Sequence, residues 1–174
     1  GLSVHADEWQ AICQQRCEHD AIDFYAYSVT IESMANVEEQ AREARYQVFS
    51  DLIGVHDALL LGHHADDQAE TLLLQLMRGA GVDGMAAMPD VKSFAKGSLL
   101  RPFLPFTRKQ LETYAHRHQL TWIEDESNEN RAFSRNYLRH EVMPLLKTRW
   151  PHVVQQLARS AAHCRDAKHH LEAL

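Results

Sequence analysis

Two histidines, two aspartates, a glutamate and an arginine crowd one stretch, Gly62-His63-His64-Ala65-Asp66-Asp67-Gln68-Ala69-Glu70, closing at Arg78-Gly79-Ala80-Gly81. Imidazoles beside carboxylates can move protons, paired carboxylates can hold an ammonium group or a metal, and a guanidinium suits phosphate. At about 100° per residue, Asp67, Glu70, Leu74 and Arg78 share one helix face. The bland alternative is that the acids only complement the helix dipole in a first turn and Arg78 the last carbonyls. The preceding histidine pair favours a site.

The elements that position these residues follow from the flanks. Ala58-Leu-Leu-Leu61 is a short apolar run that reads as a buried strand of a parallel sheet. The pattern then turns helical, with Leu72, Leu73, Leu76 and Met77 as the core stripe and Gly79 and Gly81 as the stop. The histidines therefore sit at the carboxyl end of a strand, where open α/β sheets bind ligands. Upstream, residues 5–19 read as a helix with Trp9, Ile12 and Cys13 on its apolar side, and residues 21–31 as a strand rich in β-formers. Residues 36–51 form a second helix with Asn36 as N-cap, and Glu38, Arg42, Arg45 and Tyr46 share or adjoin one face.

Downstream, a small-residue segment over 82–88 and a charged loop lead to Leu99-Leu-Arg-Pro-Phe103, the last strand, with Pro102 at its edge. Residues 107–118 form a helix capped by Thr107, and residues 120–123 are extended. A polar turn over 124–128 precedes a helix over 134–140 that ends before Pro144, and Trp150-Pro151 opens a last helix running towards Leu174. Arg135 and Arg139 lie one turn apart, and their forks suit phosphate or carboxylate. Asp125, Ser127 and Asn128 are cap-type residues for that helix.

With 174 residues and 45% hydrophobic content, the expectation is one globular domain and the start of a second. No apolar run reaches membrane-spanning length and no signal-peptide pattern appears, so a soluble, cytoplasmic protein is expected. Cys13, Cys17 and Cys164 form an odd set without a CxxC, which fits a reducing compartment. Residues 1–91 hold 4 Lys+Arg against 16 Asp+Glu, net −12, while residues 92–174 hold 14 against 8, net +6. A basic half of this kind suits a polyanion, although ordinary surface variation also produces such splits.

Together these motifs resemble the tRNA(Ile)-lysidine synthetases of the PP-loop ATP pyrophosphatase superfamily. The stretch GHHADDQAETLLLQLMRGAG is similar to that family's second signature. Val37-Glu-Glu-Gln-Ala-Arg-Glu-Ala-Arg-Tyr46, Leu100-Arg-Pro-Phe103, Glu124-Asp-Glu-Ser-Asn128, Arg135-Asn136, Arg139 and Trp150-Pro151 agree in order and spacing, so the resemblance covers essentially the whole chain. It implies an α/β fold: a partial PP-loop, Rossmann-like parallel sheet of the adenine nucleotide alpha hydrolase type, flanked by helices, with a helical C-terminal extension. It divides the chain into a truncated catalytic domain over 1–128 and a helical segment over 129–174. The family's sheet order is 3-2-1-4-5, and strands 1 and 2 would be missing here. The strand over 24–31 would then lack neighbours and that over 58–61 would keep one, so the strands pair directly, a second chain fills the gap, or residues 1–35 pack loosely.

The resemblance also implies a reaction, that of a carbon–nitrogen ligase. ATP with magnesium adenylates carbon 2 of the wobble cytidine in a CAU-anticodon isoleucine tRNA, and the ε-amine of free lysine displaces AMP. On this reading Asp67 and Glu70 hold the lysine ammonium, or Asp67 helps bind magnesium. His63 or His64 lies beside the reacting centre, and Arg42 or Arg45, with Arg135 or Arg139, stabilises charge on phosphate or tRNA. Arg78, Arg101, Asn128 and Asn136 complete the substrate-binding set. Arg135 and Arg139 should then face the same cleft as Asp67 and Glu70. The family's Ser-Gly-Gly-x-Asp-Ser ATP loop does not occur in the 174 residues, so the activity is expected of the full-length parent, with a homodimer as the candidate assembly. The rivals are a tRNA 2-thiolation enzyme, which would want cysteines near the site, and an HD-type metal phosphohydrolase using His56, Asp57, His63, His64 and Asp67. A third is a tRNA-binding module without catalysis.

Overall fold

A computed structural model describes residues 5–30, 37–125, 128, 130, 131 and 133–173, apart from the side chain of Glu38. The chain divides into two compact units, Gly1–Ile53 and Gly54–Leu174. In the first, the described regular elements are α1 (Ala6–His19) and α2 (Val37–Leu52), both near their expected bounds. Local pairs rather than a core hold α1: Gln14 donates to Glu18 at 2.9 Å and Arg16 to Asp20 at 2.7 Å, and no residue of the helix is buried. Ile12 and Cys13, expected on an apolar face, are exposed.

The strand expected over 21–31 does not form. Residues 22–30 have no regular secondary structure, and Ile22, Tyr25, Tyr27 and Val29 are exposed. β-propensity measures fit to a pleated, half-buried surface, and without a neighbouring strand the backbone groups go to water instead of a ladder. Ile31, Asn36 (the expected N-cap) and Gly1-Leu2-Ser3 lie outside the described residues, as do the Glu38 side chain and Ser127.

The second unit is built on a small sheet. β1 (Ala58–Leu60) runs parallel to β3 (Gly97–Leu100), with Leu59 opposite Leu99. β2 (Val91–Phe94) runs antiparallel to β3, so the order is β1-β3-β2 and the sheet is mixed. The β2–β3 hairpin lies in the segment expected to be a charged loop. Val91, Lys92 and Ser93 are all exposed, so no buried face announces the strand. Its turn uses Ala95 at φ 48°, where glycine or asparagine is the usual signal.

β1 keeps one neighbour, as the resemblance implied, and is not the buried strand its apolar run suggested: it lies at the sheet edge and Leu60 is 63% exposed. β3 stops at Leu100 instead of residue 103 because Arg101 gives its N–H to Asp90 O at 2.8 Å and Pro102 has none to give. Leu99, at the centre of the sheet, is fully buried.

α3 (Ala65–Met77) follows β1, then α4 (Val82–Met85), α5 (Arg108–Arg117), α6 (Ser134–Tyr137), α7 (Met143–Arg149) and α8 (Val153–Glu172). α8 packs along α3 and α4. The core joins Ala65, Ala69, Met143, Val153 and Val154, with Leu73, Leu146 and Leu157 packed against it. The core face of α3 therefore begins at two alanines, which let α8 and α7 approach closely, and continues through Leu72 and Leu73. Leu76 and Met77, expected in the core stripe, are 47% and 71% exposed. α5 carries the expected cap: Thr107 N–H donates to Gln110 Oε1 at 2.8 Å, and Gln110 N–H reaches Thr107 Oγ1 at 3.3 Å.

The helix expected to end before Pro144 runs through it. Between α6 and α7 lies a π turn, Leu138–Val142, where Met143 N–H reaches Leu138 O five residues back. Pro144 offers no N–H, and its ring would crowd the carbonyl four residues earlier. The wider turn absorbs both effects. Phe133, not a side chain of the polar turn, sits at the N-cap of α6, with no side-chain capping bond. No helix among the described residues is long and apolar enough to cross a membrane.

One buried side chain ties α3 to the loop before β2. Gln68, 2% exposed, donates to Met88 O at 2.9 Å and accepts Met88 N–H at 3.0 Å. Gln68→Leu strands that N–H, so denaturant unfolding should show a loss of about 1–3 kcal/mol. Leu76→Gln, on the exposed face, should shift the same measurement by less than about 0.5 kcal/mol.

Candidate active site

β1 delivers the chain to the site. Leu61 N–H still bonds Leu100 O at 2.9 Å, and beyond it the backbone leaves the ladder through Gly62 and His63 to His64. His64 is the N-cap of α3, with its backbone extended at φ −126° and ψ −178°. It forms a reciprocal box: His64 N–H donates to Asp67 Oδ2 at 2.9 Å, and Asp67 N–H points to His64 Nδ1 at 3.4 Å. An acceptor role for Nδ1 puts the ring proton on Nε2, which lies 3.4 Å from Asp67 Oδ2. The histidine that looked like a proton carrier is thus also the residue that starts the helix.

Asp66 and Asp67 point to different partners. Asp66 accepts Arg108 N–H at 2.9 Å and Lys147 Nζ at 2.8 Å, joining the starts of α3 and α5 to α7. Burial raises the Asp66 pKa, but the Lys147 and Arg108 hydrogen bonds and the nearby charges outweigh it and hold the group below its usual value of 3.8. Lys147 carried no signal in the sequence; only the packing of α7 against α3 reveals it.

Asp67 and Glu70 share two guanidiniums. Arg135 Nε donates to Glu70 Oε2 at 2.9 Å and its NH2 reaches Asp67 Oδ1 at 3.3 Å. Arg139 donates through Nε to Glu70 Oε1 at 2.8 Å, and through NH2 to Glu70 Oε2 at 2.9 Å and to Asp67 Oδ1 at 3.0 Å. Glu70 is 2% exposed, whereas the Arg135 side chain is 34% exposed. The hydrogen bonds that Arg139 donates to Glu70 raise its pKa against the effect of burial, so the cation is fixed. The i, i+3 acids on α3 thus face the i, i+4 arginines of the α6–π segment in one charge-balanced cluster.

The other singled-out residues lie elsewhere. Asn136 is buried and donates to Asn130 O at 2.9 Å, and Asn128 O faces His140 Nε2 at 2.9 Å, so both order the turn before α6. Arg101 follows β3 directly, at the sheet end that β1 also points to, and is buried, donating to Pro89 O at 2.6 Å. Arg78 is exposed at the C-cap of α3, away from the acids that the helical wheel grouped with it. Arg42 belongs to the first unit and lies 4.8 Å from the Tyr46 ring centroid in a cation–π contact; Arg45 is on the same helix. Among the described residues no three His, Cys, Asp or Glu side chains form a group able to hold a metal ion. Asp57, central to the HD-type alternative, instead accepts Gly54 N–H at 2.8 Å.

Comparison with known proteins follows the same lines. The profile of a family described as a PP-loop domain matches residues 1–146. The chain is 53% identical over all 174 residues to a tRNA(Ile)-lysidine synthase of Legionella pneumophila strain Lens, covering 40% of that protein. It is 52% identical over the same span to the synthase of that name from Pseudomonas fluorescens strain Pf0-1, covering 39%. The chain therefore spans about two fifths of the length of the curated relatives it matches. Among solved structures it resembles the U34-tRNA thiolase NcsA from Methanococcus maripaludis with its [4Fe-4S] cluster. That match has a TM-score of 0.62 and 13% identity, over 90% of this chain and 56% of the other, a likeness of fold.

Two outcomes follow from the cluster. Glu70→Ala leaves two guanidiniums without their buried counter-charge and should cost about 3–5 kcal/mol by denaturant unfolding. In Glu70→Ala/Arg139→Ala the loss should fall short of the sum of the single changes. Asp66, with its folded pKa depressed, contributes stability that is present above pH 3.8 and is lost as pH falls through its lower folded value. Lys147→Met should therefore lower stability at pH 7 and flatten the acid limb of a stability–pH curve.

Proposed function

The chain belongs to the PP-loop domain family, and from that premise we propose that it is the N-terminal catalytic part of a tRNA(Ile)-lysidine synthase. Residues 1–128 carry the catalytic framework and residues 129–174 complete it. The observation that supports this reading best is the ion-paired set Asp67, Glu70, Arg135 and Arg139, motif residues of a chain that is alike along its whole length to such synthases. The reaction is ATP-dependent: the carbonyl oxygen on carbon 2 of the wobble cytidine of a CAU-anticodon isoleucine tRNA is adenylated with loss of pyrophosphate, which activates carbon 2, and the amine of free lysine attacks that carbon and displaces AMP. The protein works in the cytoplasm, as a monomer or a homodimer.

The geometry divides the roles more finely than the motif does. Glu70 is fully engaged and positions the two arginines, whose outward edges present positive charge to phosphate or tRNA. Asp67 holds its guanidiniums at 3.0 and 3.3 Å, looser than the 2.8 and 2.9 Å bonds of Glu70, and is the counter-charge for the lysine ammonium. His63 and His64, at the end of β1, lie beside the reacting amine. Arg78, Arg101, Asn128 and Asn136 support the substrate-binding surface. These acids do not build a protein-held magnesium site: Glu70 is taken by guanidiniums and Asp66 by Lys147 and Arg108 N–H, which leaves Asp67 alone, with no group of three ligating side chains among the described residues. Magnesium accompanies ATP through phosphate oxygens and water instead. The thiolation alternative gains no support from Cys13 and Cys17 on α1 or Cys164 on α8, all free thiols.

The full-length protein, given ATP, labelled lysine and the isoleucine tRNA, should incorporate lysine and release AMP in equal amounts. AMP release without lysine incorporation, or none, overturns the reading. Asp67→Asn should raise the KM for lysine about 10- to 100-fold and that for ATP far less, because the ammonium loses its charged partner whereas Arg135 and Arg139 keep Glu70.

A further inference from the structure

We propose that a groove between α3 and the α6–π segment binds one unpaired nucleotide of an RNA strand, its base against Tyr137 and its phosphate at Arg78. The proposal rests on the RNA substrate of the proposed function and adds a second place where that RNA is held. The groove encloses about 620 Å³. Leu74, Met77, Leu138 and Val142 give it aliphatic walls, which suit the flat apolar face of a base. Tyr137 also lines it and is 53% exposed, so one aromatic ring stands ready for stacking.

Charge identifies the occupant. Among the described residues the lining includes Arg78 and Arg131 and no carboxylate. Arg131 is engaged by Glu141, whereas Arg78 is exposed and has no ion-pair partner among the described residues. A purely apolar protein segment would have no use for an unpaired guanidinium there, but a nucleotide pairs it with a phosphate. The groove also adjoins the charged cluster along α3, where Leu74 follows Glu70 by one turn. A nucleotide seated there would be a close neighbour of the one being modified. Splayed, stacked bases are the usual way in which single-stranded RNA is read.

The test measures affinity of the full-length protein for the isoleucine tRNA across a salt series. Tyr137→Ala should weaken binding about tenfold without changing the salt slope, and Tyr137→Phe should restore it, because stacking needs the ring and not the hydroxyl. Arg78→Gln should weaken binding and reduce the slope of log affinity against log salt by about 0.7, one phosphate contact on a single strand. If the wild-type protein binds the tRNA and these variants match it in affinity and slope, the groove proposal is overturned. Unchanged RNA binding with an altered oligomeric state or protease sensitivity would assign the groove to a protein segment and overturn it too. Failure of the wild type itself to bind would instead remove the RNA reading on which the proposal stands.

Discussion

A carboxylate buried to 2% exposure, that of Glu70, sets the terms for the second unit of this chain. Removing such a charge from water is costly unless several donors replace the lost hydration. Arg135 and Arg139 supply three of them, and their own burial is in turn tolerable only because Glu70 and Asp67 are there. Two segments distant in sequence are thereby bound to one solution: the strand end with His64 running into the first two turns of α3, and the helix carrying the arginines. Each carboxylate oxygen that accepts a guanidinium also limits where α6 can sit against α3. The cluster is thus a fold constraint before it is a chemical site, and the same fixed geometry gives its exposed guanidinium edges a defined direction.

This double duty explains what could be read from the residues alone. The α3 start, the Thr107 cap and the outer bounds of α1, α2 and α8 follow from local spacing, and they stand nearly where spacing put them. Local spacing cannot report partners. It grouped Arg78 with Asp67 and Glu70 on one wheel, whereas the acids face arginines many residues further on. It also counted Leu76 and Met77 as core because it weighed size over position, and passed over Ala65 and Ala69, whose smallness is what admits the neighbouring helices. β2 was hidden for the opposite reason: an exposed hairpin strand with an alanine in its left-handed turn offers neither alternation nor a turn signature.

The family relation carries different weight for fold and for chemistry. The chain belongs to the PP-loop domain family, and its sheet keeps a parallel pair, β1 and β3, with α3 following β1. The likeness to a tRNA thiolase at 13% identity speaks to that scaffold and no further, since one arrangement of strands serves many reactions. What distinguishes this chain is the particular set of side chains at the end of β1. Chemistry in this superfamily is therefore best traced through the groups gathered there and not through the sheet.

The π turn before Pro144 has a meaning in rotational phase. Its wider hydrogen bond amounts to one surplus residue wound into an otherwise continuous helix. Upstream of the surplus, the helix directs Arg135 at Asp67 and Glu70; downstream, it directs Lys147 at Asp66. The acids are sequence neighbours, so the two grips must be timed to the same first turns of α3. Deleting one residue from 138–142 would swing the downstream half by about 100° relative to the upstream half, and one grip would be lost whichever half kept its place. The segment behaves as a vernier: a fractional offset, set by an imino acid that cannot donate, brings two sets of teeth into mesh at once.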